Sequence, residues 1–361
     1  MKVHILTAGY GKGHDRAAEL LQRRAEDRQD VAQIFRPLEE RMLYLFQSSK
    51  IAYKYSIRFY PDIWRTIAAM ETASIQPVIG WLSRRLDPSF MTIFRSDFIL
   101  SVHPLLTAVA ADIKARHRIR TPLYNIATDY WTPPITSHPM VNGWFTSKLD
   151  KPSFIQSGQF VCPTGLPALM EKRKLSKKET HLRNGWDGNK PLILLCGGGT
   201  GWFPYKKVLN VLTKRETPST IVMMGDKKAR KKEMVIRGHD VYVKTFSADY
   251  LEYLQAADLL ISKAGGMTMA EAALGEVPLI IYSPLPGQEE KNAARFVENK
   301  AAYWAHSTQA IKVQADELLN DPFKQVKWKR RLRRMKEENS VDTILSISKT
   351  FSWEEKRKEY E

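Results

Sequence analysis

An apolar run, Val3–Ala8, stops at a glycine-rich turn, Gly9–Gly13, and a helical pattern with Ala17, Ala18, Leu20, Leu21 and Ala25 on one face follows. Strand, glycine turn and helix in that order open an α/β unit. The same grammar continues with strands at Phe98–Val102 and Pro122–Ala127 and a helix over Leu105–Ile113. It restarts at Pro191–Cys196, which runs into a second glycine turn. Strands at Thr220–Met224, Val241–Val243, Leu259–Ser262 and Leu279–Tyr282 follow, with helices over Tyr205–Thr213, Ala248–Ala256, Thr268–Leu274 and Glu289–Asn299. Strands that alternate with helices predict a parallel, doubly wound sheet, here twice over. The stretch Pro167–Lys190 lacks strand character and marks the joint. We expect one domain over residues 1–165, a second over 166–322, and a basic helical segment over 323–361.

Charge narrows the partners. Lys and Arg number 56 and Asp and Glu 39, a formal net charge of +17, which implies an anionic partner. Cys162 and Cys196 are the only cysteines, too few for a disulfide framework and without zinc-site spacing, so a reducing compartment is expected. No apolar run approaches the ~18–20 residues of a membrane span, and the first residues do not read as a signal peptide. The expectation is a cytoplasmic protein that touches a membrane without crossing it.

Residues 41–95 depart from the α/β grammar. Met42, Leu43, Tyr44, Leu45, Phe46, Tyr53, Tyr55, Phe59, Tyr60, Trp64, Trp81 and Phe90 alternate with Arg41, Lys50, Lys54, Arg58, Arg65, Arg84, Arg85 and Arg95. Aromatics mixed with cations on helices suit an interfacial element, apolar side chains in the acyl boundary and cations at anionic headgroups. They equally suit a helical insertion packed on the sheet with a solvated basic face.

Three loops hold candidate chemistry. In Ser262-Lys263-Ala264-Gly265-Gly266-Met267-Thr268, a buried strand ends, two glycines turn, and a helix begins. A helix N-terminus offers unpaired N–H groups and partial positive charge to a phosphate. Glu271, one turn in, is placed to accept from ribose hydroxyls; the bland alternative is a bare turn. In Pro284–Ala293, Gln288, Glu289 and Asn292 bunch hydrogen-bonding groups at a helix start, suited to a sugar or to plain capping. In Gly9-Tyr10-Gly11-Lys12-Gly13-His14, the spacing fits neither the dinucleotide fingerprint nor a Walker loop, but His14 at the mouth of a parallel sheet is a general-base candidate.

The stretches LTAGYGKGHDRAAELL, SVHP, ATDY, PTGLP and SKAGGMTMAEAALGEVPLIIYSPLPGQEEKNA, in that order, resemble the GT-B glycosyltransferases that build glycolipids from diacylglycerol. These are the bacterial diacylglycerol glucosyltransferases and plant monogalactosyldiacylglycerol synthases of glycosyltransferase family 28; the lipid-linked peptidoglycan GlcNAc transferase is a more distant relative. The resemblance covers about residues 1–305, and its long 262–293 motif is the most specific part. It implies two Rossmann-like domains facing across a cleft, the first taking the lipid acceptor and the second the UDP-sugar. Carried over, Gly265, Gly266, Met267 and Thr268 hold the diphosphate, joined by Gly198 and Gly199. Glu271 binds ribose; Gln288, Glu289 and Asn292 bind sugar hydroxyls; Phe246 and Ser247 lie beside the uracil. His14 or Asp129, or both together, act as base in an inverting transfer of a hexose, with no metal or other cofactor expected. Tyr53, Lys54, Arg58, Phe59, Trp64 and Arg65 meet acceptor and membrane. After Thr128-Asp129-Tyr130 the relatives show a His and a Trp, where this chain has Pro133 and Thr136 and keeps His138.

A GT-B transferase for another lipid-linked or soluble acceptor is the alternative within enzymes. A nucleic-acid binder would also answer to the charge, but no helix-turn-helix, zinc finger or RNA-recognition signature is present, and no nucleic-acid partner is expected. The cations concentrate in 41–95, Lys172–Lys178, Lys227–Lys232 and Lys324–Lys336, away from the phosphate turns. They read as a docking surface for an anionic membrane, on the inner face of the cell membrane.

Overall fold

The computed structural model describes residues 1–70, 72–155, 159–170, 175–198, 203–225, 232–245 and 249–357, with the side chains of residues 45, 50, 51, 53, 54, 58, 68, 72, 73 and 354–357 left aside. Two compact units emerge. One comprises Met1–Ala168, Pro286–Gln288 and Glu337–Glu361; the other comprises Leu169–Leu285 and Glu289–Lys336.

The first unit is built on β1 (Lys2–Leu6), β2 (Val31–Phe35), β3 (Phe98–Ser101), β4 (Leu123–Ile126), β5 (Gly143–Phe145) and β6 (Phe160–Cys162). They form a parallel sheet in the order β2-β1-β3-β4-β5-β6. Its helices are α1 (Lys12–Asp27), α2 (Pro37–Arg41), α3 (Leu43–Phe59), α4 (Pro61–Ala69), α5 (Gln76–Ile93) and α6 (Pro104–Arg116). Central strands are mostly apolar because both faces are covered: Ile5, Leu6, Phe98, Ile99, Leu100 and Leu123 are fully buried, beside the buried polar His4, Ser101 and Asn125.

The insertion α2–α5 divides by burial. Helix α5 is a core element, with Ile79, Leu86, Phe90 and Ile93 fully buried. Helices α3 and α4 bury Phe46 and Ile57 but expose Leu43, Tyr44, Tyr55, Phe59, Tyr60, Ile63 and Ile67. The packed-insertion reading of residues 41–95 therefore holds for α5, while α3 and α4 leave these apolar side chains exposed. So large an exposed apolar patch marks an interaction surface.

The second unit holds β7 (Leu192–Cys196), β8 (Thr220–Met224), β9 (Lys232–Ile236), β10 (His239–Lys244), β11 (Leu259–Ser262), β12 (Leu279–Tyr282) and β13 (Tyr303–Ala305). The order is β13-β12-β11-β7-β8-β10-β9, all parallel except the β10–β9 pair. Its helices are α7 (Lys177–Asn184), α8 (Tyr205–Leu212), α9 (Tyr250–Ala256), α10 (Gly266–Leu274), α11 (Gln288–Glu298), α12 (Thr308–Asn320) and α13 (Pro322–Arg334). The β9–β10 hairpin turns at Arg237-Gly238, both with positive φ (51° and 82°), the primed turn that matches strand twist.

The basic C-terminal stretch is shared out. Helix α13 stays with the second unit, while α14 (Ser340–Arg357) belongs to the first. There Asp342 bonds Arg24 and Arg28, Lys349 pairs with Asp30, and the Phe351 ring lies 4.4 Å from that of Phe160. Glu337 leads into it, buried, accepting from Ser147 Oγ (2.7 Å), Lys148 N (2.6 Å) and Leu166 N (2.9 Å). Burial pushes its carboxyl pKa up against those donors. Gly165 (φ 99°) is needed here, since a Cβ would stand 2.4 Å from that of Glu337. Among the described residues no helix is long and apolar enough to cross a membrane.

Candidate active site

In the first unit, β1 delivers the Gly9–Gly11 loop to the C-terminal edge of the sheet, where open α/β sheets bind ligands. Gly9 N donates to Glu39 Oε1 at 2.6 Å, and the Tyr10 hydroxyl pairs with Ser49 Oγ at 2.7 Å. The loop is thereby tied to α2 and α3. His14 sits half-buried in the first turn of α1. Its Nδ1 lies 2.6 Å from the Val102 carbonyl oxygen and 3.1 Å from Thr128 Oγ1. A carbonyl only accepts, so Nδ1 carries the proton and donates it. The neutral ring therefore presents its lone pair at Nε2, the form a general base requires. Thr128 donates onward to Asp129 Oδ2 at 3.4 Å, so Thr128 links the two base candidates.

His103 packs against His14, ring centroids 4.8 Å apart. Its burial, reinforced by His14, holds its pKa well below the usual histidine value. Thr136 is fully buried and accepts from Trp144 Nε1 at 3.2 Å, a core role. His138 accepts from Met140 N at 3.1 Å, and burial lowers its pKa.

In the second unit, two glycine turns follow the neighbouring strands β7 and β11. Ser262 Oγ donates to the Cys196 carbonyl at 2.5 Å, joining the strand ends. Gly197 N donates to the Tyr205 hydroxyl at 2.7 Å, and that hydroxyl donates to the Met224 carbonyl. No side chain fits at Gly197, where a Cβ would meet Phe203 Cβ at 2.4 Å, or at Gly225, where it would meet the Tyr205 hydroxyl at 1.9 Å. Gly198 has φ 67°, and a Cβ there would touch Lys263 Cε at 3.3 Å.

Lys263 thus lies beside the Gly198 turn, 6% exposed, with Nζ 2.6 Å from Glu289 Oε1. The other oxygen of Glu289 accepts from Leu285 N at 2.8 Å. Gly265 caps α10, and Gly266, Met267 and Thr268 form its first turn with Gly265 and Thr268 half-exposed. Glu271 is buried one turn in (1% exposed). Asn292 is wholly buried and donates from Nδ2 to the Ala264 carbonyl at 2.9 Å, so it holds α11 against the turn from behind. Gln288 opens α11, half-buried.

Gly199, Phe246 and Ser247 lie outside the described residues, as do the side chains of Tyr53, Lys54 and Arg58. Phe59 is 62% exposed. Trp64 Nε1 donates to Ser56 Oγ at 2.9 Å, and Arg65 pairs with Asp62 at 2.6 Å. Sequence reasoning assigned no role to Thr128, His103, Lys263 or Tyr205. Three of the four stand inside the motifs ATDY, SVHP and SKAGG, and that position was the only signal.

Two units, each built on a parallel α/β sheet, one edged by a poised histidine and the other by glycine turns, have the GT-B fold. Solved structures agree over nearly the whole chain. MurG of Acinetobacter baumannii superposes with a TM-score of 0.61 at 16% identity, covering 97% of this chain and 100% of that one. The spinosyn rhamnosyltransferase SpnG with thymidine diphosphate gives 0.63 at 12% identity, covering 96% and 100%. Residues 14–167 match the monogalactosyldiacylglycerol (MGDG) synthase domain and residues 193–349 the glycosyltransferase family 28 C-terminal domain. In both halves the chain resembles the GT-B diacylglycerol glycosyltransferases of family 28. The processive diacylglycerol beta-glucosyltransferase of Bacillus cereus is 24% identical over 348 residues, 92% of this chain and 89% of the relative. That of Bacillus mycoides is 24% identical over 367 residues, 96% and 93%.

Proposed function

We propose that this chain transfers a hexose from a UDP-sugar to a diacylglycerol-type lipid, with inversion, at the cytoplasmic surface of an anionic membrane. The observation that carries this reading is the MGDG synthase match over residues 14–167, the stretch that holds His14 and the exposed α3–α4 face. The acceptor hydroxyl oxygen attacks the anomeric carbon as the bond to the β-phosphate breaks. The hydroxyl proton passes to His14 Nε2, with Asp129 supporting through Thr128. UDP departs against the Gly198 and Gly265–Thr268 turns, whose N–H groups face developing charge without a metal. Glu271 takes the ribose, and Phe246 and Ser247 flank the uracil.

Lys263 adds a cation to that phosphate site, and Glu289, oriented by Lys263 and Leu285 N, accepts from sugar hydroxyls. Lys263→Met weakens UDP binding by about ten- to a hundred-fold, the ~1.5–3 kcal/mol of a charge-assisted hydrogen bond. Calorimetry checks it. Adding Glu289→Gln removes the orphaned carboxylate, so recovery of affinity in the double variant would reduce Lys263 to a partner of Glu289.

The test of the whole reading offers a panel of UDP-sugars with diacylglycerol in anionic liposomes, with EDTA present, and identifies products by mass spectrometry. A hexosyl-diacylglycerol is expected. Glycosylation of a soluble acceptor alone would defeat the lipid assignment.

A further inference from the structure

Helix α13 carries PFKQVKWKRRLRR. Asp321 caps it, Oδ1 accepting from Lys324 N at 3.1 Å. Trp328 and Leu332 turn inward, 4% and 0% exposed, and the Trp328 ring lies 4.6 Å from that of Tyr303. Arg333 grips the Glu276 carboxylate at 3.0 and 2.7 Å and Lys336 reaches it at 2.7 Å, which brings the Glu276 pKa down to about 2. These contacts fix the rotation of the helix about its own axis.

At 3.6 residues per turn, positions 323, 326, 327, 330 and 334 fall opposite Trp328 and Leu332. All five are exposed, Phe323 at 88% and Val326 at 67%. Lys327, Lys329, Arg330 and Arg334 make no hydrogen bond or ion pair among the described residues. One face therefore combines two bare apolar side chains near its N-terminal end with three unpaired cations, Lys327, Arg330 and Arg334. A phenylalanine exposed to this degree beside unneutralised charge is what an in-plane interfacial helix presents: the ring enters the acyl boundary and the cations meet headgroup phosphates.

We propose that α13 is a second bilayer-docking helix, placed on the donor-binding unit, which inserts Phe323 and Val326 and binds anionic phospholipid headgroups through Lys327, Arg330 and Arg334. It rests on the reading of the chain as a lipid glycosyltransferase and deepens it, since the α3–α4 face belongs to the other unit. Cations alone would also suit RNA or DNA. The aliphatic Val326 beside Phe323 favours acyl chains over stacked bases.

Flotation of the full-length chain with phosphatidylcholine vesicles, with and without phosphatidylglycerol, tests this. The vesicles contain no diacylglycerol, so the result is independent of transfer chemistry. Lys327→Gln/Arg330→Gln is expected to lower partition onto phosphatidylglycerol vesicles by about 30-fold, roughly five-fold per cation. Phe323→Ser/Val326→Ser lowers it through the apolar contacts. Unchanged UDP affinity shows that both variants are folded. Unaltered partition in both overturns the proposal, as does loss of salt-sensitive RNA binding in the charge variant with vesicle partition intact. A chain that floats through α13 yet makes no glycolipid refutes the acceptor assignment and leaves the helix assignment standing.

Discussion

Replacing His14 by alanine is expected to lower turnover by about 10²–10⁴-fold, the usual worth of a positioned general base, while UDP affinity stays at the parent value. The split follows from where the residue stands. His14 belongs to the first unit, and the Lys263–Thr268 turn proposed to meet the diphosphate belongs to the second. The Val102 carbonyl at 2.6 Å fixes the Nδ1–H tautomer, so Nε2 alone can take a proton from the neutral ring. Thr128 Oγ1 at 3.1 Å supports the same nitrogen and leads to Asp129. Thr128→Val therefore lowers turnover by less than His14→Ala, since the carbonyl still holds the ring. The measurement is turnover at saturating donor beside calorimetric UDP affinity. Near-normal turnover in His14→Ala, with the loss appearing in Asp129→Asn, would transfer the base role to Asp129.

The buried architecture was largely legible in the sequence, because strands covered on both faces read as unbroken apolar runs. β1, β3, β4, β7, β8, β11 and β12 each overlap a run that is mostly apolar. The strands without such a signal lie at or near sheet edges. β2 has the burial pattern eieii and β9 eeiei, and β5, β6 and β13 are three residues long, too short for a period to register. The hairpin pair β9–β10 was visible only as Val241–Val243, because Lys232–Ile236 opens on two charged residues and shows no strand alternation.

Site residues follow the same logic at smaller scale. Glycine turns show in the sequence because glycine is distinctive. The side chains that orient them do not: Tyr205 reaches Gly197 from eight positions away, and Glu289 reaches Lys263 from 26. A buried lysine in an otherwise apolar turn was the one overlooked local cue. The division of 323–361 between two units rests on Asp342 and Glu337 meeting residues more than 170 positions earlier, a separation no local pattern encodes.

Stability is expected to fall steadily between pH 7 and pH 5, before ordinary carboxylates titrate, and histidines set that window. Burial lowers the pKa of His4, His103, His138, His181 and His239 in the folded chain. Each is wired as a neutral ring. His239 accepts from Ser219 N at Nδ1 (3.1 Å), leaving Nε2–H for the Arg215 carbonyl (3.3 Å), so a second proton would break the Ser219 bond. His138 likewise accepts from Met140 N. His4 Nε2, His103 Nδ1 and His181 Nε2 are buried with no hydrogen-bond partner among the described residues, so protonation would create a buried donor with nothing to receive it. With a folded pKa below the unfolded value near 6.5, each contributes stability that is complete above that value and is lost as pH falls, because the unfolded chain then binds the additional proton. Two such groups still neutral one unit below 6.5 cost roughly 2–3 kcal/mol, at ~1.4 kcal/mol per group per unit, or about 5–10 °C in Tm. The lowered carboxylates, Glu276 at about 2 among them, act in the same direction but only below the unfolded carboxylate range, whereas Glu337, raised by burial, takes up its proton above that range and opposes the histidines in part. Thermal unfolding at constant ionic strength across pH 7.5 to 5 separates the two regimes. A Tm that held level from pH 7 to 5 and dropped only below 4.5 would assign acid sensitivity to the carboxylates and show that the buried rings accept protons without loss.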